Sequence, residues 1–371
     1  MVDSLFKNRP NHGGNLEWAA AVAGCSPFAL LDFSASISPL GPPPSAIAAI
    51  NSALAALTRY PNPDYAAMRQ RLASHHQLTS DWVLPGNGAA ELLTWAGRDL
   101  ATLTATYLLT PAFGDYGRSL AAFGASVQAI SMPLAAAERG AVDWVSLLTA
   151  GIHHDPARCG LLLNTPHNPT GLTIPLAALI QLLQRFALVV VDEAFMDFLP
   201  PAEQSSLISQ IAQWPNLVVV RSLTKFYSLP GLRLGYAVAH PDRLQRWQRW
   251  RDPWPVNALA AAAAIALDDQ DFQQQTWQWL AQARPQLFAG LQSIPGLYPL
   301  PGRANYLLVR CDFPGSEIQR QLLQRDQILI RDCLSFPALG DRYFRLAVRS
   351  SSDNARLLAA LMRVMTDGKT P

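Results

Sequence analysis

The sequence predicts an α/β protein with a mostly parallel central sheet covered by helices, joined to a smaller α/β domain. Three observations predict it. Short apolar runs alternate with amphipathic stretches from about Pro85 to His240, as expected for strands buried on both faces with helical crossovers. Several runs end in polar residues, as Leu188–Asp192 does, and strand ends are where open parallel sheets hold ligands. A second, shorter alternation follows Val256, and 371 residues, half of them hydrophobic, suffice for one large core and a smaller one.

In chain order, the strands expected in the central sheet are Ala105–Leu109, Ser126–Ser131, Gly160–Asn164, Leu188–Asp192, Leu217–Arg221 and Gly235–Ala239. Helices are expected at Tyr65–His75, Pro175–Phe186 and Arg243–Arg251. These place a large domain at residues 58–252, preceded by an arm and part of the small domain at 1–57. Residues 253–371 form the rest of the small domain, with an Ala-rich helix and a long helix from Asp271 to about Leu291. Strands Tyr306–Arg310, Ile328–Arg331 and Tyr343–Val348 then alternate with helices Ser316–Gln324 and Asp353–Met365. The Pro-rich segments Pro39–Pro44 and Asp252–Pro255 are either surface loops or places where the chain turns between domains.

Lys and Arg number 29 against 27 Asp and Glu, a net charge of +2 without a basic stripe or acidic tail. That speaks against nucleic acid or an anionic membrane as partner and for a small molecule. Cys25, Cys159, Cys311 and Cys333 stand far apart, which suggests neither a disulfide framework nor a metal site. A cytoplasmic location is the expectation. The stretch Met1–Lys7 has no apolar signal core, and the apolar run Ala258–Leu267 is too short to cross a bilayer.

Four segments carry residues suited to chemistry. Arg221-Ser222-Leu223-Thr224-Lys225 follows a strand and is followed by Gly231-Leu232-Arg233-Leu234-Gly235-Tyr236. The hydroxyls at 222 and 224 with the arginine at 233 suit a phosphate, although a lone lysine in such a place is also an ordinary solvated charge. Asp192 closes a buried strand, where an isolated carboxylate would cost several kcal/mol, so it is paired or hydrogen-bonded. A protonated ring nitrogen, a helix N-cap or a metal would each serve. Asn164-Thr165-Pro166-His167-Asn168-Pro169-Thr170-Gly171 is a simple turn or a turn that presents Asn168 to a ligand. Pro85-Gly86-Asn87-Gly88-Ala89-Ala90-Glu91 places small residues at a helix start, a capping turn or an anion site.

Taken together, in this order, these four segments resemble the fold-type I pyridoxal-phosphate enzymes, in particular the histidinol-phosphate aminotransferase branch of the class I/II aminotransferases. The resemblance covers nearly the whole chain and implies the cofactor pyridoxal 5'-phosphate. It implies that Lys225 holds the cofactor as a Schiff base, Asp192 pairs with its ring nitrogen and Asn168 binds its ring hydroxyl. Gly88, Ala89, Ser222, Thr224 and Arg233 match the family's phosphate cradle, and Phe113 matches the aromatic stacked on the ring. Tyr60, in Arg59-Tyr60-Pro61, matches a tyrosine that reaches the phosphate of the neighbouring subunit, which implies a homodimer. Where relatives often have Asp-Glu-Ala-Tyr this chain has Asp192-Glu193-Ala194-Phe195, which leaves Asn168 as the ring-oxygen ligand and Phe195 as a packing residue.

Within that branch, His12-Gly13-Gly14-Asn15, Leu31–Gly41, Ile330-Arg331-Asp332-Cys333 and Arg345-Leu346-Ala347-Val348-Arg349 are similar to the threonine-phosphate decarboxylases of cobalamin biosynthesis. The resemblance implies a phosphorylated amino acid as substrate, gripped by His12, Arg331, Arg345 and Arg349. A histidinol-phosphate aminotransferase is the alternative, since one fold runs both reactions. A regulatory ligand-binding module need not keep Lys225, and the sequence contains neither GxxxxGK[ST] nor a GxGxxG after a strand, which speaks against a nucleotide enzyme.

Overall fold

The computed structural model describes residues 9–367; the stretch Met1–Lys7, read above for a signal core, lies outside them. The N-terminal part holds α1 (Leu16–Ala23), β1 (Leu31–Asp32), α2 (Pro44–Ala53) and α3 (Ala66–His75). The central part runs β2 (Val83–Asn87), α4 (Gly88–Leu100), β3 (Thr106–Thr110), α5 (Gly114–Ala121), β4 (Val127–Ser131), α6 (Leu134–Glu138), α7 (Trp144–Ala150) and β5 (Gly160–Asn164). It continues with α8 (Leu176–Leu183), β6 (Leu188–Asp192), β7 (Leu217–Ser222), β8 (Leu234–Ala239) and α9 (Pro241–Gln248). The C-terminal part holds α10 (Ala258–Ala263), α11 (Gln270–Gln292), β9 (Leu297–Pro299), β10 (Tyr306–Cys311) and α12 (Gly315–Asp326). It closes with β11 (Ile328–Leu329), β12 (Arg331–Asp332), β13 (Tyr343–Ala347) and α13 (Ser351–Asp367).

A seven-stranded sheet in the order β2-β8-β7-β6-β5-β3-β4 forms the centre. β3 to β7 pair in parallel and β8 runs antiparallel to both neighbours. Alternate residues of each strand enter different cores. Leu161, Leu163, Val189, Val191 and Val219 face one, while Leu162, Val190, Val218 and Val220 face the other, beneath Leu92 and Leu93 of α4 and Trp247 of α9. Burial on both faces is why these strands read as unbroken apolar runs, and each fully buried side chain contributes about 1.5–3 kcal/mol.

Two differences from the sequence reading have physical causes. β2 was not expected, because Pro85 and Gly86 are poor strand residues. β2 lies at the sheet edge, where proline is tolerated, and Pro85 pairs opposite Tyr236. The strand expected at Ile328–Arg331 is divided: β11 pairs in parallel with β1, whereas β12 joins the small sheet β12-β13-β10-β9. That division sets Arg331 directly opposite Arg345 on β13. Among the described residues no helix is long and apolar enough to cross a membrane.

Candidate active site

The C-terminal ends of β3, β5, β6 and β7 open into a cavity of ≈ 210 Å³, closed on its far side by the small sheet and the segment around His12. Parallel strands end together, so side chains far apart in sequence converge there. Asn164 and Asp192 are register partners on β5 and β6. Ser222 ends β7, Lys225 follows in the next turn, and Phe113 precedes α5.

One end of the cavity is shaped for an anion. Gly88 opens α4 at φ +75°, and a Cβ there would meet Arg233 Nη2 at 2.5 Å. A Cβ on Gly235 would lie 2.6 Å from the Ala89 nitrogen, so glycine at 235 lets the helix start approach β8. The hydroxyls of Ser222 and Thr224 lie 2.8 Å apart. Arg233 sits at φ +58°, an uncommon conformation for a bulky residue. Free helix-start N–H groups, two hydroxyls and a guanidinium with no carboxylate partner among the described residues are the donor set of a phosphate site.

In the floor of the cavity Asp192 is buried, with Tyr116 Oη donating to Oδ2 at 2.7 Å and the Ala194 N–H donating to Oδ1 at 2.9 Å. Burial pushes its carboxyl up to about 6 against the pull of these two donors. Lys225 is pushed down to about 8, first by burial and then by the charges of Arg345 and Arg233. Asn168 Oδ1 accepts from Arg345 Nη1 at 2.5 Å, and its amide nitrogen has no protein acceptor among the described residues.

The remaining wall is cationic. Arg331 donates to Ser335 Oγ at 2.5 Å and to the Asn11 carbonyl; Arg345 lies over the Tyr306 ring, 4.9 Å from its centroid. Neither forms an ion pair with a carboxylate among the described residues, and Arg345 Nε is buried without a partner. Burial and the neighbouring guanidinium hold Arg331 down to about 10. Among the lining residues three are arginines and one, Asp192, is a carboxylate, so the cavity is built to receive anions.

The structure thus gathers Gly88, Ala89, Phe113, Asn168, Asp192, Ser222, Thr224, Lys225, Arg233, His12, Arg331 and Arg345 at or beside one cavity. It leaves out two residues singled out from the sequence. Arg349 turns away, bound to Asp353 at 3.0 Å and to the Asp32 carbonyl at 3.1 Å, because the first turn of α13 offers it a carboxylate four residues on. Tyr60 is 79% exposed and stacks on Trp254 with ring centroids 4.4 Å apart, away from the cavity of its own chain. Sequence reasoning missed Tyr116, which lies three residues after Phe113, a helical spacing that would have placed both on one face. Phe195 lines the cavity and packs edge-on against Tyr306 at 4.9 Å. A wider cleft of ≈ 580 Å³ opens elsewhere, but its Arg221 is already bound to Glu193 and Asp197.

The sequence pattern of the family Aminotransferase class I and II matches residues 29–361, and the chain belongs to this family of pyridoxal-phosphate-dependent enzymes. The chain is 43% identical to a threonine-phosphate decarboxylase from Salmonella typhimurium over 96% of each sequence. It is 34% identical to a histidinol-phosphate aminotransferase from Symbiobacterium thermophilum over 91% of each. Among solved structures, a histidinol-phosphate aminotransferase from Sinorhizobium meliloti in complex with pyridoxal-5'-phosphate superimposes with a TM-score of 0.83 at 25% identity, covering 98% of this chain and 97% of that one. The donor set at Gly88, Ser222, Thr224 and Arg233, the carboxylate at 192 and the amine at 225 fit that cofactor's phosphate, ring nitrogen and aldehyde.

Proposed function

We propose that this enzyme is a lyase that decarboxylates L-threonine O-3-phosphate to (R)-1-amino-2-propanol O-2-phosphate, a step of cobalamin biosynthesis. The observation that carries this reading is the 43% identity over 96% of each sequence to the Salmonella typhimurium decarboxylase, and the site agrees with it in the pair Arg331 and Arg345, set opposite each other on adjacent strands without a carboxylate between them among the described residues. Like charges directly opposite destabilise a sheet, so the pair is explained by a ligand that brings two anionic groups close together. Threonine phosphate brings a carboxylate and a phosphate on one small molecule; the 2-oxoglutarate taken by an aminotransferase also brings two anions, so the pair fits the substrate of either enzyme. The identity to a histidinol-phosphate aminotransferase is lower, at 34%, which favours the decarboxylase.

Bound in this cavity, pyridoxal phosphate supplies an electron-accepting ring conjugated with the substrate's Cα. Gly88, Ala89, Ser222, Thr224 and Arg233 hold its phosphate, and Phe113 covers the ring. Asp192 keeps a proton on the ring nitrogen. Arg345 occupies Asn168 Oδ1, which leaves the Asn168 amide N–H as the donor that would serve the ring oxygen; Phe195 only packs. Lys225, with its amine brought towards neutrality, is the residue that would hold the cofactor through its aldehyde and, once released, would carry protons. Arg331, Arg345 and His12 would hold the two anionic groups and fix the rotation of the substrate, which decides whether the carboxylate or the Cα hydrogen is the group lost. The bond from that carboxylate to Cα is the one that would break as CO2 is lost, and Lys225 Nζ would deliver the proton that takes its place on Cα. Arg349 supports this wall through the Asp32 carbonyl.

Residues 58–252 serve as the cofactor domain, and 253–371 with part of 1–57 as the small domain. The enzyme acts as a cytoplasmic homodimer, in which the exposed Tyr60 reaches the partner's cofactor phosphate. The test is incubation with L-threonine phosphate without a keto acid, with CO2 and the amino alcohol phosphate measured. Release of no CO2, with histidinol phosphate converted only when 2-oxoglutarate is added, overturns the reading in favour of the aminotransferase.

A further inference from the structure

The start of α5 brings two side chains to the cofactor site from one short stretch. Phe113 precedes the helix and lines the cavity; Tyr116, three residues on, is 1% exposed and meets Phe113 edge-on at 5.6 Å and 84°. A phenol buried this deeply must give its proton to an acceptor or lose a hydrogen bond. Its acceptor is Asp192 Oδ2, at 2.7 Å. The other carboxylate oxygen takes the Ala194 N–H, so each oxygen of Asp192 has one protein donor among the described residues.

We infer that Tyr116 is a positioning residue for Asp192, holding the carboxylate charged and aimed so that it can pair with the ring nitrogen of the cofactor. The inference rests on the cofactor and not on which substrate is decarboxylated. With Asp192 charged, the phenol is the donor and the carboxylate the acceptor. Burial and the adjacent Asp192 raise the Tyr116 phenol well above its ordinary value, so it remains a donor at every working pH. The other titratable groups acting on Asp192 oppose its charge. Glu193, next in the chain, and Asp115 of α5 both push its carboxyl upward, and Tyr306 of β10 stays a neutral phenol. Burial already lifts Asp192 to about 6 with Tyr116 in place. Removing the phenolic donor leaves the Ala194 N–H and, in the holoenzyme, the ring nitrogen to hold the charge, and the carboxyl moves upward.

The experiment follows cofactor retention by the purified holoenzyme, with no substrate present. Release is read from the visible absorption of bound cofactor during dilution or gel filtration across pH 5.5–9, a range on the order of that over which a raised carboxyl titrates. Tyr116→Phe removes one oxygen and keeps the ring, so the fold is preserved, which far-UV circular dichroism checks. The expected result is release faster by about five- to tenfold at neutral pH, with the pH at which release accelerates moved upward by about one unit. In an Asp192→Asn background the same change should add less than about twofold, since the charge it serves is already gone. Wild-type release with an unmoved pH profile in Tyr116→Phe overturns the inference. So does an undiminished effect in the Asp192→Asn background, which would make Tyr116 a packing residue acting independently of the carboxylate.

Discussion

Gly88→Ala separates the phosphate cradle from the rest of the site. The added Cβ would lie 2.5 Å from Arg233 Nη2 and 3.1 Å from its Cζ, closer than carbon and nitrogen approach, so the guanidinium must move. A charged hydrogen bond is worth about 1.5–3 kcal/mol, and losing one from the cofactor phosphate weakens binding by about 10- to 150-fold. A separate cost comes from φ +75° at residue 88, which disfavours an L side chain by about 1–2 kcal/mol. That strain is present with or without cofactor, so it lowers the stability of the fold and cancels from the binding equilibrium. The two effects are measured apart. Thermal unfolding of the cofactor-free protein reports the strain, and absorbance titration with pyridoxal phosphate and with pyridoxal reports the cradle. Affinity for the phosphorylated cofactor should fall by the stated factor while affinity for pyridoxal stays within about twofold. Equal losses for both compounds, or no loss for either, would refute the assignment of Gly88 and Arg233 to the phosphate.

Capture of pyridoxal phosphate by the cofactor-free protein needs the neutral amine of Lys225, so its rate should rise as pH passes through about 8. A break near the ordinary lysine value would remove the claimed desolvation, and Lys225→Ala should bind cofactor without turnover. Arg345→Lys loses the planar bidentate grip and should raise KM for the phosphorylated amino acid about 10- to 100-fold, whereas Arg349→Ala, outside the cavity, should change it by less than about threefold. Steady-state kinetics showing equal losses would place Arg349 back among the substrate ligands. Mixing an inactive Tyr60→Ala protein with an inactive Lys225→Ala protein should restore activity in mixed dimers, because one site then has both residues intact. Proven subunit exchange without recovery would count against shared sites.

The sequence by itself determined the elements with strong local signals. Gly160–Asn164 and Leu188–Asp192 are unbroken apolar runs ended by polar residues, and both strands form as read. The order of the glycine-rich helix start, the Asn-Pro-Thr-Gly turn, the strand-end aspartate and the lysine was legible because each is a short, contiguous piece of chain. The tertiary structure alone decided what depends on pairing between distant segments. Pro85 and Gly86 argue locally against a strand, and only the vacant edge of β8 makes β2 one. Arg345 and Arg349 look alike in sequence, four residues apart. Register with Arg331 sends Arg345 into the cavity, while Asp353 on the following helix draws Arg349 out of it. Tyr116 carries no motif of its own; its partner Asp192 lies 76 residues away. Local sequence sets which residues can form strands, turns and helix starts, whereas charge state and partner choice depend on burial beside groups that only folding brings together.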